Sequence, residues 1–396
     1  MGEQEAEDEY KAVTSVLSSF YNFHTFETNQ LVTPRIHKFA ALSTEDQQLI
    51  PWYQQHTQYL EQCIEFNRSF CQTLSEKISQ DWGIGDLPAD WTNASEEQFN
   101  QTKTVLLQLM REWSDQGEQE RQVGHELIIS QLSDLYPDKS QRHSVKILIP
   151  GCGVGRLVCE LVMQGFWSQG NSSDYHALFV SNFILNHCQF PHNYSIFPFL
   201  ATSASNSTRR QNQIRPVTIP DVSPTAEIMS AVEKEKQKET TSELGHTRIP
   251  FDELMSITAG LFTDLYGSGS SGANSASQEI RSQSQGEFDV VVTEFSLNFL
   301  STGIIDYIRT INNVLRDGGK WINFGPLSLE NGSSGGLDLS RDDLFDLITK
   351  LGFEFTAKQS DIETTYCGDI KSLNSTIYKC DFWVCRKTNN LENVLY

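Results

Sequence analysis

The segment ILIPGCGVGRL, residues 147–157, sets a short uninterrupted apolar run directly before three glycines at alternate positions, with a helical pattern directly after them. A strand with no polar alternation is buried on both faces, as in a parallel sheet, and parallel strands need crossover helices between them. Those helices follow on schedule. GRLVCELVMQGF and DYHALFVSNFILNHC read as helices, FDVVVTEFSL as a second buried strand, IIDYIRTINNVLRDGG as an amphipathic helix closed by Gly318 and Gly319, and KWINFGPL as a third strand. Alternation of this kind specifies an α/β fold with a doubly wound sheet. SRDDLFDLITKLGF then offers Ser340 as a helix N-cap with Asp343 three residues on, and Gly352 as a stop. Two strand-like pieces, GFEFTAKQ and STIYKCDFWVCRK, end the domain as a pair rather than as another βαβ unit.

The first 141 residues have a different texture. Apolar residues recur at helical spacing in LVTPRIHKFAAL, QLIPWYQQHTQYLEQCIEF and KTVLLQLMREW, with Pro34 and Pro51 placed to open helices. The expected organisation is an all-helical region over 1–141 and an α/β domain over 142–390. Ser/Asn-rich and Lys/Glu-rich runs at about 202–250, and the Gly/Ser-rich run at 267–286, read as flexible surface insertions.

The glycines carry the first chemical inference. The backbone turns sharply there, and a ligand can lie against it with no Cβ in the way. Gly151, Gly153 and Gly155 are spaced Gly-x-Gly-x-Gly, which fits S-adenosylmethionine better than a dinucleotide; no Gly-Lys-Ser/Thr follows, so a phosphate-binding P-loop is excluded. In nucleoside-binding sheets an acidic residue about 20 residues beyond the glycines takes the ribose hydroxyls, and Asp174 is the candidate, with a helix N-cap as its alternative role. The 51 acidic residues against 30 Lys and Arg give a net charge of −21, which argues against a nucleic-acid groove. No apolar run is long enough for a membrane helix, and the acidic N-terminus is unlike a secretory leader, so a cytoplasmic or nuclear protein without a membrane partner is expected. The eight cysteines show no Cys-x-x-Cys pair, so reduced thiols and no metal are expected. Neither the glycine spacing nor the terminal strand pair suits a nicotinamide oxidoreductase, and no Gly-x-Ser-x-Gly elbow supports a hydrolase.

The run ILIPGCGVGRLVCELVMQGFWSQGN…SNFILN, followed by NQIRPVTIPDV, MSITAGLF, IIDYIRTINNVLRDGGKWINFGPL and LSRDDLFDLITKLGF, resembles the carnosine N-methyltransferase family. The likeness extends back to LLQLMREWSDQGEQER and on to YKCDFWVCRK, in order, over about residues 40–387. It implies a helical N-terminal part with a class I, Rossmann-like methyltransferase sheet, homodimers through the N-terminal helices, and S-adenosyl-L-methionine as methyl donor. The acceptor it implies is an imidazole nitrogen of the small peptide carnosine, giving anserine.

Residue by residue, Gln108 and Arg111 match the pair that holds the cofactor's carboxylate end, a role suited to charge-assisted Arg contacts. Gly151 matches the glycine under the cofactor, Phe262 the aromatic beside the adenine, and Tyr378 a tyrosine of the peptide site. The departures are Ser172 in place of the ribose-binding Glu, Leu261 in place of an Asp at the adenine amine, and Asn298 in place of the Asp that orients the substrate. A histidine expected after Gly-Pro-Leu is replaced by Leu329-Glu330. Asn298 and Tyr378 are the catalytic candidates, and Glu294 and Asn323 also belong at strand carboxyl ends, where open α/β sheets place their sites. Asn323 could equally serve the backbone, and Glu294 could be solvated. The departures support a second reading, a diverged member with weak or no catalysis that acts as a binding scaffold.

Overall fold

The computed structural model describes residues 3–201, 204–241, 249–268, 275–297, 303–327, 337 and 339–388. The strands in chain order are β1 Lys146–Pro150, β2 Trp167–Ser172, β3 Tyr194–Ile196, β4 Val217–Ile219, β5 Met255–Ala259, β6 Phe288–Glu294, β7 Leu315–Gly325, β8 Phe353–Thr364 and β9 Tyr378–Lys387. Contacts group the chain into two compact units. A helical unit combines Met1–Glu120, Tyr175–Thr225 and Tyr366–Thr376; a sheet unit combines Arg121–Asp174, Ala226–Thr365 and Ile377–Tyr396. The units therefore interleave along the chain, where the sequence pattern suggested one break after residue 141. One cause is visible in the helix Tyr175–His187, which is buried along most of its length and shows water only a narrow strip that includes Asn182 and Asn186. Its Phe183 packs edge-on against Phe70 of the long helix Pro51–Asp81, within the helical unit.

In the sheet unit seven strands run in the order β5-β2-β1-β6-β7-β9-β8. β5, β2, β1, β6 and β7 are parallel, and β9 lies antiparallel between β7 and β8. This is the doubly wound sheet with a terminal antiparallel pair that the sequence pattern predicts, and it has the class I methyltransferase arrangement. Ile147, Leu148 and Ile149 of β1 and Val290 to Val292 of β6 are buried on both faces, as their unbroken apolar runs require. The helix Ile304–Val314 turns Ile304, Ile308 and Ile311 onto Val291, Trp321 and Trp383, where the two indoles meet edge-to-face at 5.6 Å. Two strands were harder to read. β2 (WSQGNS) is largely polar and β5 (MSITA) alternates apolar with hydroxyl residues; the two pair in parallel from Ser168–Met255 to Ser172–Ala259.

Ser340 caps the helix Arg341–Lys350 in a complete capping box with Asp343, each side chain accepting from the other residue's backbone N–H. Ser340→Ala is expected to lower stability by about 1 kcal/mol, read as a shift in the denaturant midpoint without a change in slope. An unchanged midpoint would mean that this helix takes its stability from packing alone.

In the helical unit Pro51 opens the helix Pro51–Asp81 and Pro34 sits in the first turn of Thr33–Ala40, as expected. The stretch 202–250 differs from the expected insertion. Its described part holds β4, paired antiparallel with β3, and the helix Pro224–Thr241. Val217 and Ile219 are buried, and Ala231 joins an apolar cluster with Phe251 and Leu254 within the sheet unit. A few well-spaced apolar residues outweigh the polar composition there. Of the stretch 267–286, the described part includes the helix Ser275–Ser284, while 242–248 and 269–274 lie outside the described residues.

Candidate functional site

In the sheet unit, the turn after β1 is built from left-handed backbone, with φ of 71° at Gly151, 53° at Gly153 and 83° at Gly155. Gly151 and Cys152 both donate their N–H to the Asn171 carbonyl at the end of β2, at 2.8 and 3.2 Å. The Asn171 amide in turn donates to the carbonyls of Thr258 and Gly260, at 3.1 and 2.9 Å, so one asparagine fixes the ends of three neighbouring strands. A Cβ at Gly151 would lie 2.7 Å from the Ser296 Cβ, whereas one at Gly153 would meet nothing within 4 Å. The turn is therefore closed beneath Gly151 and bare backbone at Gly153, which suits a flat ligand laid against it.

The other sequence candidates of this unit gather at the same carboxyl edge. Ser172 ends β2, and its hydroxyl accepts the Asp174 N–H at 3.2 Å; Asp174 is half-buried just beyond. Leu261 is 37% exposed directly after the Gly260 turn, and Phe262 is buried with its ring 5.0 Å from Tyr307. The Tyr307 hydroxyl reaches Ser296 at 3.3 Å. Phe295, at a φ of 48°, donates its N–H to the Phe324 carbonyl at 2.9 Å, and its ring meets Tyr378 edge-on at 6.1 Å. β9 runs antiparallel to β7, so its first residue, Tyr378, stands at the edge where the parallel strands end. Phe262, Tyr307, Ser296, Phe295 and Tyr378 thus form a continuous aromatic margin beside the glycine turn. Asn298 and Leu329-Glu330 lie outside the described residues.

Two candidates have other employment. Asn323 is buried, accepts from the Thr293 hydroxyl at 2.8 Å and donates to the Asp381 carbonyl at 3.2 Å; it serves the sheet. Glu294 is not solvated, because the helix Glu118–Leu135 brings His125 onto it at 3.1 Å. His125 also meets Glu160 at 2.8 Å, and Glu160 meets Arg156 at 2.7 Å. Burial works against a charge on His125, yet Glu294 and Glu160 outweigh it and hold its pKa near 9. Glu160, likewise charged against its burial, is held down at about 2 by His125 and Arg156. Only the Arg156–Glu160 spacing of four on a helix hinted at this cluster in the sequence.

In the helical unit Gln108 and Arg111 lie one turn apart on the helix Glu96–Trp113. Arg111 is 2% exposed, pairs with Glu112, and holds its Nε 3.2 Å from Glu120. Its guanidinium lies 4.9 Å from the centre of the Tyr366 ring, and the Gln108 amide donates to the Tyr366 hydroxyl at 3.4 Å. Glu120 accepts the backbone N–H groups of Cys367 and Gly368, at 2.7 and 2.9 Å. Sequence reasoning named Gln108 and Arg111 but neither Glu120 nor Tyr366. The Gln108 Oε1 is buried with no protein partner, an acceptor that an ammonium group would satisfy. Among the described residues no cluster of His, Cys, Asp and Glu could hold a metal ion, and no helix is long and apolar enough to cross a membrane.

Comparison with known proteins bears on what these groups serve. The sequence profile described as carnosine N-methyltransferase matches residues 88–389. A carnosine N-methyltransferase of Schizosaccharomyces pombe is 28% identical over 402 residues, spanning 96% of this chain and 96% of its own. That of Mus musculus is 29% identical over 383 residues, spanning 94% of this chain and 85% of its own. Among solved structures, a magnesium protoporphyrin IX methyltransferase from Synechocystis PCC 6803 aligns with a TM-score of 0.33 and 9% identity, over 72% of this chain and 97% of its own. With a match over well more than half of its length, which takes in Gln108, Arg111, the glycine turn, Phe262 and Tyr378, the chain belongs to the carnosine N-methyltransferase family.

Proposed function

We propose that this chain transfers a methyl group from S-adenosyl-L-methionine to an imidazole nitrogen of carnosine, or of a closely related imidazole peptide, with anserine as the product from carnosine. The observation that carries the reading is the family match over residues 88–389, which includes each of the retained site positions. A cytoplasmic or nuclear location and a homodimer through the N-terminal helices are part of the same reading.

When bound, the donor supplies an already activated methyl on a sulfonium, so the protein's task is alignment and exclusion of water. In the helical unit, Gln108 and Arg111 are the residues that the family resemblance assigns to its amino-acid end, and the buried Gln108 Oε1 is an acceptor suited to an ammonium group. Gly151, Gly153 and Gly155 would accept the nucleoside against bare backbone, with Phe262 beside the adenine and Asp174 offering the carboxylate that Ser172 lacks. A neutral imidazole is nucleophilic without a strong base, so Tyr378 and Asn298 need only orient the peptide. The amide of an asparagine can accept a hydrogen bond from the ring but, unlike a carboxylate, would bring no charge to the imidazolium that forms, so Asn298 in place of Asp would weaken the transition state more than the ground state.

Loss of one polar partner costs about 1–3 kcal/mol, or roughly ten- to hundred-fold in affinity, so Ser172 and Leu261 weaken the donor site without emptying it. The scaffold reading rests on these two residues together with Asn298 and the histidine replaced by Leu329-Glu330. Calorimetric titration with S-adenosylmethionine, followed by carnosine with product detection by mass spectrometry, separates the two. We expect donor binding, carnosine methylation, and a gain in kcat of about ten- to hundred-fold on Asn298→Asp with a smaller change in KM. No heat with millimolar donor would favour the scaffold; donor binding without carnosine turnover would point to another acceptor.

A further inference from the structure

His125 on the helix Glu118–Leu135 is 2% exposed, and each of its ring nitrogens faces a carboxylate. Nδ1 stands 2.8 Å from a Glu160 oxygen and Nε2 stands 3.1 Å from a Glu294 oxygen. An ionised carboxylate only accepts, so a ring that satisfies both contacts donates from both nitrogens and is an imidazolium. The second Glu160 oxygen takes Arg156 Nε at 2.7 Å. Arg156 opens the helix that begins directly after Gly155, and Glu294 is the last residue of β6. The row Arg156, Glu160, His125, Glu294 therefore runs from the glycine turn to the end of β6 inside one unit. Two residues beyond Glu294, Ser296 lies so close to Gly151 that a Cβ on that glycine would come within 2.7 Å. Phe295 between them holds a φ of 48°, a conformation a non-glycine residue keeps only when its surroundings fix it.

We propose that His125 is a positioning residue for methyl transfer, which, clamped between Glu160 and Glu294, holds the end of β6 in register with the glycine turn. The inference rests on the methyltransferase reading above and adds to it a group that touches no reacting atom. His125 acts through Glu294, and Glu294 through the backbone that carries Ser296 and Phe295 to Gly151 and Tyr378. Apolar side chains could fill this space as well as four charges do; the role assigned to the charges here is to fix the geometry of the strand end. The pKa of about 9 agrees with the doubly donating ring, which Glu160 faces from the helix that follows the glycine turn and Glu294 from the end of β6. A histidine whose pKa is raised on folding contributes stability fully below its unfolded value of about 6.5, and that contribution is lost as pH rises through the folded value.

The test uses the full chain and three variants, His125→Gln, Glu294→Gln and the double. Thermal unfolding, calorimetric donor affinity, and kcat and KM for carnosine are each measured from pH 6 to 10. Each single variant removes one charge from a buried row in which positive and negative groups alternate and should lower the melting temperature. The double variant is neutral again and should regain most of that loss, yet keep kcat about tenfold or more below wild type with KM within about twofold, since misplacement is felt in the transition state. Wild-type kcat should decline between pH 8 and 10, and the double variant should lack that decline. A double variant whose kcat recovers with its melting temperature would overturn the positioning role and leave the methyltransferase reading intact. A wild type that neither binds the donor nor methylates carnosine would overturn both.

Discussion

Arg111→Met should cost about 3–5 kcal/mol of stability and remove most of the affinity for S-adenosylmethionine. Arg111 is 2% exposed, and its partners cannot follow it out into water. Glu120 in particular is tied in place by the backbone N–H groups of Cys367 and Gly368 at 2.7 and 2.9 Å, so removing the guanidinium takes a buried cation away from a carboxylate that cannot move, and from Glu112 as well. Arg111→Lys keeps the charge but not the planar fork that meets Glu120 while lying against the Tyr366 ring, and should fall between the two. Denaturant unfolding and donor calorimetry on the same samples separate the effects. Arg111→Met combined with Glu120→Gln should regain stability but not affinity. If it regains both, the guanidinium serves only the fold.

The second large effect is at the glycine turn. Gly151→Ala introduces a Cβ at a φ of 71°, costing about 1–2 kcal/mol for the left-handed backbone alone, and drives it to 2.7 Å from the Ser296 Cβ. Ser296 can yield only by moving the end of β6, so donor KM and kcat should both suffer, with kcat/KM down by about a hundredfold or more. Gly153→Ala pays the same kind of backbone cost at a φ of 53° but meets no neighbouring atom within 4 Å. Its methyl would occupy the open face instead. It should therefore lose donor affinity while its melting temperature falls less than that of Gly151→Ala. Equal donor affinity in Gly153→Ala and wild type would mean that the ligand does not rest on this backbone.

How much of this was legible in the sequence depended on how far apart the interacting residues stand. The strand, turn and helix around Ile147–Leu157 declare themselves locally, since burial on both faces and left-handed backbone each demand particular residue types. So does the Ser340–Asp343 capping box, which spans three residues. β2 and β5 were hidden because Ser168 and Asn171 are buried for their register and their hydrogen bonds, not for apolar area. The His125 cluster joins groups 35 and 169 residues apart, and no local pattern announces a contact of that range. Resemblance to the family supplied Gln108 and Arg111; the fold alone supplied Tyr366, 258 residues after Gln108.

The segment Tyr366–Thr376 leaves the sheet unit after β8, packs as part of the helical unit, and returns as β9. Synthesis from the N-terminus therefore delivers Glu120 long before the two N–H groups it accepts, which come 247 and 248 residues later. At elongation rates of about 5–20 residues per second, the Gln108 and Arg111 surroundings stay incomplete for on the order of ten seconds to a minute in each new molecule. A nascent chain halted before residue 366 lacks the Tyr366 ring and the loop that Glu120 holds, however well its earlier helices have formed. The surroundings of Gln108 and Arg111 would then be completed only when residues 366–368 emerge, long after the glycine turn has been made.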